Sequence, residues 1–113
     1  MLVAAPLMLL ALLAASCGGG SVDDTAKSSV TIDIEIRGGA PVGGIQQITV
    51  RRGDEVTVDV AGDSTGRVHI HGYDLFVDLN DGSGTTQFDA LIPGVFSMEI
   101  EATSRQLVKL TVS

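Results

Sequence analysis

Two histidines on one short segment give this sequence its clearest capacity for chemistry. The segment spans residues 67–74 and contains His69, His71 and Asp74. On a β-strand, residues two apart point to the same face with their Cα atoms about 6–7 Å apart, so both imidazoles can reach one metal ion if their rings converge. Asp74 would add an oxygen ligand, and imidazole with carboxylate suits Cu(II) or Zn(II). The segment therefore predicts a metal site formed by His69, His71 and Asp74.

The same histidines also fit an interpretation without a metal. A complete metal site takes three or four ligands, and the sequence makes only two of them evident. Two hydrated or hydrogen-bonded histidines on the outer face of a sheet would produce the same pattern. Both interpretations place His69 and His71 on a strand whose apolar residues, Val68 and Ile70, face the core.

Charge and composition exclude several other classes of function. The chain has 113 residues, with 14 acidic against 7 basic side chains and a formal net charge of −7. Nucleic-acid binding needs a basic surface and is therefore excluded. The single cysteine, Cys17, excludes an internal disulfide, a thiolate zinc cluster and an iron–sulfur cluster. The spacing of serines, histidines and carboxylates does not suggest a catalytic triad, so we do not expect an enzyme.

The N-terminal residues predict a secretory leader. Residues 2–15 are apolar except for Pro6, and these 14 residues are too few to cross a bilayer, which takes about 20. A cleavable signal peptide has a hydrophobic region of this length. The Gly-rich polar stretch after Cys17 predicts a flexible linker. An ordinary secretory signal with an unmodified cysteine, or a buried N-terminal helix, would also fit these residues.

Residues 13–17, Leu-Ala-Ala-Ser-Cys, resemble the lipobox of bacterial lipoproteins. The resemblance implies that residues 1–16 are a lipoprotein signal peptide and that Cys17, acylated on its sulfur, becomes the mature N-terminus. Residues 17–29 would then comprise the lipidated cysteine and the flexible linker. Each buried methylene of a palmitate chain contributes about 0.8 kcal/mol, and two or more chains give a stable anchor. We therefore expect a palmitate-bearing lipoprotein on the cell membrane, facing the extracytoplasmic side.

From residue 30 onward, apolar and polar side chains alternate with a period of two. No window shows the 3.6-residue apolar stripe of an amphipathic helix. We predict seven or eight strands spaced by about 8–12 residues, including residues 67–71 and 73–79 hinged at Gly72. This pattern favours two packed antiparallel sheets. Residues 30–113 are therefore predicted to form an all-β Greek-key β-sandwich, with an open barrel as the alternative.

Three short segments of this domain resemble the EfeO-type cupredoxin-like domain. They are residues 52–56 (Arg-Gly-Asp-Glu-Val), 71–75 (His-Gly-Tyr-Asp-Leu) and 92–96 (Ile-Pro-Gly-Val-Phe). The resemblance covers nearly all of residues 30–113 and implies a cupredoxin-like β-sandwich. Cupredoxins hold type 1 copper with one histidine from mid-chain and a cysteine, a second histidine and usually a methionine from a C-terminal loop. By position, His71 matches the first of these ligands, with His69 as the alternative.

The rest of that copper site is missing from the sequence. The expected cysteine falls near Ile100, and residues 101–105 contain neither histidine nor methionine. Type 1 copper needs its thiolate, so the resemblance implies the scaffold without the type 1 centre. Met98, which alternates with Phe96 and Ile100, is expected in the core.

These observations predict a membrane-anchored extracytoplasmic binding module with a cupredoxin-like fold and no type 1 copper site. It would bind a partner protein or a metal ion, and copper and zinc are the only cofactors that its residues suggest. The alternative is a periplasmic metal-handling protein that holds Cu(II) or Zn(II) through His69 and His71 and passes it on. A third alternative, an electron-transfer copper protein, is not expected because the sequence lacks the type 1 copper ligands. A fourth alternative, a structural subunit, would need an exposed apolar patch or edge strand.

Replacement of the proposed acylation site gives the first test. Cys17→Ala should abolish metabolic palmitate labelling, because the substitution removes the sulfur that would carry the chain. Ser16→Ala keeps a small residue before the cysteine and should label like the wild type. Labelling of Cys17→Ala at the wild-type level would contradict the lipoprotein prediction.

Overall fold

The computed structural model describes residues 27–113, which form nine β-strands. The predicted signal peptide (residues 1–16), Cys17 and most of the predicted linker lie outside the described residues. Within residues 27–113, no helix is long and apolar enough to cross a membrane. In chain order the strands are β1 (Ser29–Arg37), β2 (Ala40–Pro41), β3 (Gln46–Val50), β4 (Glu55–Gly62), β5 (Gly66–Ile70), β6 (Leu75–Leu79), β7 (Gly84–Asp89), β8 (Gly94–Ile100) and β9 (Arg105–Val112).

Alternating apolar residues form these strands, as the period of two predicts. In β1, Ile32, Ile34 and Ile36 are buried while the residues between them are exposed. β4 repeats the pattern, because its three valines are buried and the residues between them are more exposed. Each strand therefore presents one apolar face, and two such faces can close on each other.

The strands pack as two sheets around one core, which confirms the predicted β-sandwich. Val, Ile and Leu make up most of this core, and Phe88, Ala90 and Met98 complete it. The burial of Met98 confirms its expected position. Full burial of one such side chain stabilises the fold by roughly 1.5–3 kcal/mol. The strand order is β2-β1-β4-β7 in the first sheet and β3-β9-β8-β5-β6 in the second.

The prediction of purely antiparallel sheets is wrong for two strand pairs. β1 pairs with β4 in parallel, and β3 pairs with β9 in parallel. Along the chain, β3 lies between β1 and β4 but belongs to the other sheet, so the chain crosses the sandwich before it returns beside β1. A period of two indicates a strand but carries no information on the direction of its partner. Both sheets are therefore mixed.

One end of the sandwich, called here the Tyr73 end, joins three loops and the start of β1. The Tyr73 hydroxyl donates to the Ile92 carbonyl at 2.8 Å, and the Gly53 N–H donates to the Ala90 carbonyl at 2.8 Å. These bonds connect the loops to one another at this end of the core. The loops comprise residues 51–54, 71–74 and 90–93.

The buried carboxylate of Asp54 fixes the start of β1 to the Tyr73 end. Only 5% of Asp54 is exposed, and its oxygens accept the Arg51 N–H at 2.8 Å and the Ser28 N–H at 3.4 Å. Its backbone carbonyl accepts the Ala90 N–H at 2.8 Å. A buried carboxylate is tolerated when backbone donors satisfy it in this way. The described chain therefore emerges at the Tyr73 end.

The opposite end, called here the Ser104 end, contains the turn that connects β8 to β9. Residues 101–104 form this turn, and the Ser104 N–H donates to the Ile100 carbonyl at 2.8 Å. The Glu101 N–H donates to the Arg67 carbonyl at 3.0 Å, which places the turn beside the start of β5. The two ends of β5 therefore belong to different ends of the sandwich.

Candidate metal centre

The pleat of β5 directs His69 to the outer face of the five-stranded sheet. Val68 and Ile70 are fully buried, whereas 21% of the His69 side chain is exposed. In register, His69 lies opposite Phe76 of β6, and the two rings stack with centroids 4.5 Å apart and planes 10° apart. This contact holds the His69 ring in one orientation on the sheet.

His71 leaves the strand and still brings its ring to His69. β5 ends at Ile70, and the His71 N–H donates to the Ser97 carbonyl at 3.0 Å. The His69 and His71 ring centroids lie 4.1 Å apart, with the ring planes tilted by 45°. The two imidazoles therefore converge on the outer face of the sheet, as a shared ligand would require.

The turn after His71 corrects the predicted strand boundaries. Residues 67–71 and 73–79 were predicted as strands, but residues 71–74 form one turn and β6 begins only at Leu75. Gly72 adopts a φ of 83° and Asp74 a φ of 53°. A reversal this tight needs left-handed backbone, which Gly adopts freely and Asp tolerates better than most residues. The period of two hides the turn because apolar residues continue on both sides of it.

Glu99 completes the cluster, and the sequence reasoning missed it. Its Oε1 accepts a hydrogen bond from His71 Nε2 at 3.2 Å, and its Oε2 accepts one from the Ser97 hydroxyl at 2.9 Å. Glu99 also lies opposite His69 in the pairing of β5 with β8. Its alternation with Met98 and Ile100 marked it as outward-facing, but only the register places it beside the histidines.

Asp74 lies near His69 without completing a hydrogen bond. His69 Nε2 is 3.5 Å from Asp74 Oδ1, but the pair does not meet hydrogen-bond geometry. Within the described chain, His69 Nε2 is buried and has no hydrogen-bond partner. Asp74 itself is 91% exposed. A buried imidazole nitrogen without a hydrogen-bond partner is costly, and its lone pair or N–H can serve a ligand.

His69, His71, Asp74 and Glu99 are the side chains of this cluster that could act as metal ligands. No group of three or more His, Cys, Asp or Glu residues within residues 27–113 is arranged to hold a metal ion. Glu99 accepts a hydrogen bond from Nε2 of His71, so this bond does not use Nδ1 of His71. The other available nitrogen is Nε2 of His69, which has no hydrogen-bond partner within the described chain. Metal-binding histidines commonly donate their second N–H to a carboxylate, as His71 does to Glu99. The structure therefore shows both the converging rings that a metal site needs and a hydrogen-bonded histidine of the kind expected without a metal.

Arg67 flanks the histidine pair on the side of the Ser104 end. Its guanidinium carbon lies 4.6 Å from the centre of the Phe76 ring, and its Nε lies 3.3 Å from a Glu101 oxygen and 3.7 Å from an Asp78 oxygen. The cation and the stacked His69 ring together fix the position of Phe76.

The Ser104 end contains the position where the cupredoxin resemblance expects the cysteine. Ile100 lies opposite Val68 in the pairing of β5 with β8 and lines a shallow pocket there. His71 bonds to Ser97 whereas Arg67 bonds to Glu101, and these two points are about 13 Å apart along the strand. The assignment of His71 as the first cupredoxin ligand, with His69 as the alternative, stays a prediction. The pocket is lined by Gly38, Gly39, Asp63, Ser64, Thr65, Ile100, Ala102 and Thr103.

Ser64 also lies at the Ser104 end, within a Gly-x-Ser-x-Gly sequence at residues 62–66. In hydrolases this motif connects a strand to a helix and exposes the serine at the turn. Here it connects β4 to β5. Asp63 uses both carboxylate oxygens to accept the Gly38 N–H at 3.2 Å. The motif therefore forms a turn between strands and lacks the context of a nucleophile elbow.

Two of the segments that carry the cupredoxin resemblance meet at the Tyr73 end. A Cβ atom on Gly72 would overlap the Phe96 ring, so the turn at residues 71–74 can close over the core only with glycine at this position. Tyr73 packs against Phe96 with ring centroids 5.0 Å apart. Its hydroxyl also accepts the Ile92 N–H at 3.0 Å. These motif residues therefore have a packing role beside the histidine pair.

Comparison with solved structures finds the same fold in copper proteins. A copper binding protein, solved by NMR in its apo form, superposes with a TM-score of 0.54 at 12% identity, over 79% of this chain and 99% of that chain. The multicopper oxidase mgLAC gives a TM-score of 0.52 at 19% identity, over 78% of this chain and 39% of that chain. A chain of a heme-copper terminal oxidase dimer gives 0.53 at 20% identity, over 74% and 64% respectively.

These similarities establish the cupredoxin-like fold of the chain. The identities lie between 12% and 20%, so each similarity concerns architecture alone. The chain spans less than two thirds of both oxidase chains, whereas it spans the whole copper binding protein. No protein-family model matches the sequence, and comparison with characterised proteins finds no relative.

Substitution of Gly72 tests the packing role of the turn. Gly72→Ala should lower the free energy of unfolding by about 1–2 kcal/mol for the left-handed backbone and by about 1–3 kcal/mol more for the overlap with Phe96. Gly43→Ala is the matched control, because its φ of 81° is similar and a Cβ there meets nothing within 4 Å. Chemical denaturation measures both. Equal losses in the two variants would contradict a packing role for Gly72.

Proposed function

We propose that this chain is a lipid-anchored extracytoplasmic module that binds Cu(II) through His69 and His71 and catalyses no reaction. The observation that carries the proposal is the convergence of two imidazoles, with ring centroids 4.1 Å apart, on the outer face of a cupredoxin-like sandwich. The copper-binding protein and the copper oxidases that share this fold support copper as the metal. We also propose that the domain is related to the EfeO-type cupredoxin-like domain.

The chemistry of the donor set favours Cu(II) over Zn(II). Nitrogen and oxygen donors around an open position suit the tetragonal geometry of Cu(II), and Cu(II) binds such ligands more tightly than Zn(II) does. His69 Nε2 and His71 Nδ1 would supply the nitrogens, while Glu99 orients His71 through Nε2. Asp74 would provide a nearby oxygen, and water would complete the coordination. Zn(II) would bind the same residues more weakly.

The proposed site is not a type 1 copper centre. Such a centre requires a thiolate, and the single cysteine of the chain is Cys17, in the proposed leader boundary. At the Ser104 end, the pocket near Ile100 is lined by hydroxyl, carboxylate, backbone and small apolar groups. Without a thiolate, copper at the histidine pair would serve binding and exchange rather than electron transfer.

The location of the pair favours transient holding of the metal. His71 is 46% exposed and lies on the outer face of the sheet, so a bound ion would remain accessible to water and to other ligands. The lipobox-like residues 13–17 and the leader before them support an anchor at the extracytoplasmic face. The net charge of −7 would attract cations to such a domain. These features favour a metal-handling protein that passes its ion on.

Metal titration of histidine variants tests the proposal. The His69→Gln/His71→Gln double variant should bind Cu(II) at least about tenfold more weakly than the wild type by isothermal titration calorimetry, because both nitrogen donors are removed. The glutamines keep polar side chains on the surface, and thermal unfolding would verify that the variant folds. Zn(II) should show a smaller affinity difference between the two proteins.

Glu99 provides a matched pair of variants for the same titration. Glu99→Gln should weaken Cu(II) binding because it removes the carboxylate that orients His71. Glu101→Gln, two residues along the chain, removes an equal charge that pairs with Arg67 and should bind like the wild type. Equal affinity of the wild type and the double histidine variant would overturn the proposed function.

A further inference from the structure

The Tyr73 end presents an exposed apolar tip. Leu91 is 61% exposed, Ile92 47% and Val95 60%, although the core residues of this sandwich are at most 8% exposed. These three residues lie within five positions of one another, on the loop before β8 and at the start of that strand. Clustered exposed apolar residues on a small soluble domain indicate an interaction surface.

The described chain emerges beside this tip. The Glu55 N–H donates to the Ser28 carbonyl at 2.8 Å, and Lys27 forms an ion pair with Asp89, two residues before Leu91. The hydrogen bond to Asp89, with the charges of Asp89 and Glu55, raises the pKa of Lys27 above its ordinary value. This pair is exposed and would be screened by solvent, so it indicates proximity rather than stability. A membrane anchor that precedes Lys27 would therefore be connected to the domain at the Tyr73 end.

The separation between Cys17 and Lys27 limits how far the tip can stand from an anchored lipid. Ten residues of fully extended chain reach at most about 35 Å. The apolar tip would therefore remain within a few tens of ångströms of the bilayer at every moment, on the side of the domain that faces it.

Charge at the Tyr73 end is compatible with lipid headgroups. Arg52 lies on the loop that bonds to Ala90, and the carboxylate of Asp54 beside it is buried and bonded to backbone N–H groups. Asp74 is an exposed carboxylate at the rim of this end, and Asp89 and Glu55 are partly exposed carboxylates that pair with Lys27. Contact would therefore depend mainly on the apolar side chains. Basic and apolar residues on one surface are typical of segments that lie in the membrane interface.

We infer that the Leu91, Ile92 and Val95 tip rests in the headgroup region of the bilayer to which Cys17 is anchored. The inference rests on the lipid anchor of the proposed function. A protein partner fits less well, because a stable interface uses about 20–30 residues on each side and this tip offers three large apolar side chains. Shallow insertion of a few apolar residues suffices at a membrane when a lipid chain supplies the remaining affinity.

The absence of tryptophan from the chain makes a clean fluorescence test possible. Leu91→Trp places a single reporter at the tip, and Val42→Trp places one on the connection near the far end of β1, where the native residue is 51% exposed. Both full-length acylated proteins would be reconstituted into phosphatidylcholine vesicles with or without brominated acyl chains. Brominated lipid should quench the Leu91→Trp emission at least twofold and leave the Val42→Trp emission unchanged.

Flotation of the vesicles separates the possible failures. If the wild-type protein does not float with vesicles, the anchor fails and the tip contact fails with it. If both reporter proteins float but neither is quenched, the anchor stands and the tip contact is overturned. Emission of Leu91→Trp that shifts to the blue with protein concentration in lipid-free detergent would assign the tip to a second copy of the chain, which also overturns the inference.

Discussion

The register between β5 and β8 is the constraint on which the candidate site depends. It buries Val68 and Ile70 in the core and places His69 opposite Glu99 on the outer face. A slip by one residue would turn His69 inward and Val68 outward, which would bury an imidazole and lose two core side chains. The free energy of the core therefore fixes the positions of His69 and Glu99 on the outer face.

The turn after β5 depends on the same packing. The backbone at Gly72 passes over the end of the core and lies close to the Phe96 ring. The Tyr73 hydroxyl donates to the Ile92 carbonyl on the neighbouring loop. His71 is held between this turn and the Ser97 carbonyl, which brings its ring to that of His69. The segments that resemble cupredoxins thus stabilise the frame at the Tyr73 end. The pocket at the Ser104 end, near Ile100 where the resemblance expects the cysteine, has no sulfur or imidazole donor among its described lining residues.

The sequence predicted the fold more completely than the site. Alternation in β1 and β4 identified strands and the core because burial of one face has a period that a single sequence displays. The parallel pairs β1 with β4 and β3 with β9 were missed, because strand direction follows from the path of the chain between sheets. The spacing of His69 and His71 allowed them to share a face but left open whether their rings converge. Glu99 lies 28 residues from His71 and joins it only through the register. The hinge at Gly72 was predicted, but the full turn at residues 71–74 was not, because its extent depends on the contact of Gly72 with Phe96.

Electron paramagnetic resonance of the full-length protein with one equivalent of Cu(II) tests the central claim most directly. If the histidine pair holds the ion, the spectrum should show nitrogen superhyperfine coupling from two imidazoles, and substitution of either histidine should reduce it to one. A spectrum without nitrogen coupling, or one that is the same in the absence of both histidines, would contradict the account.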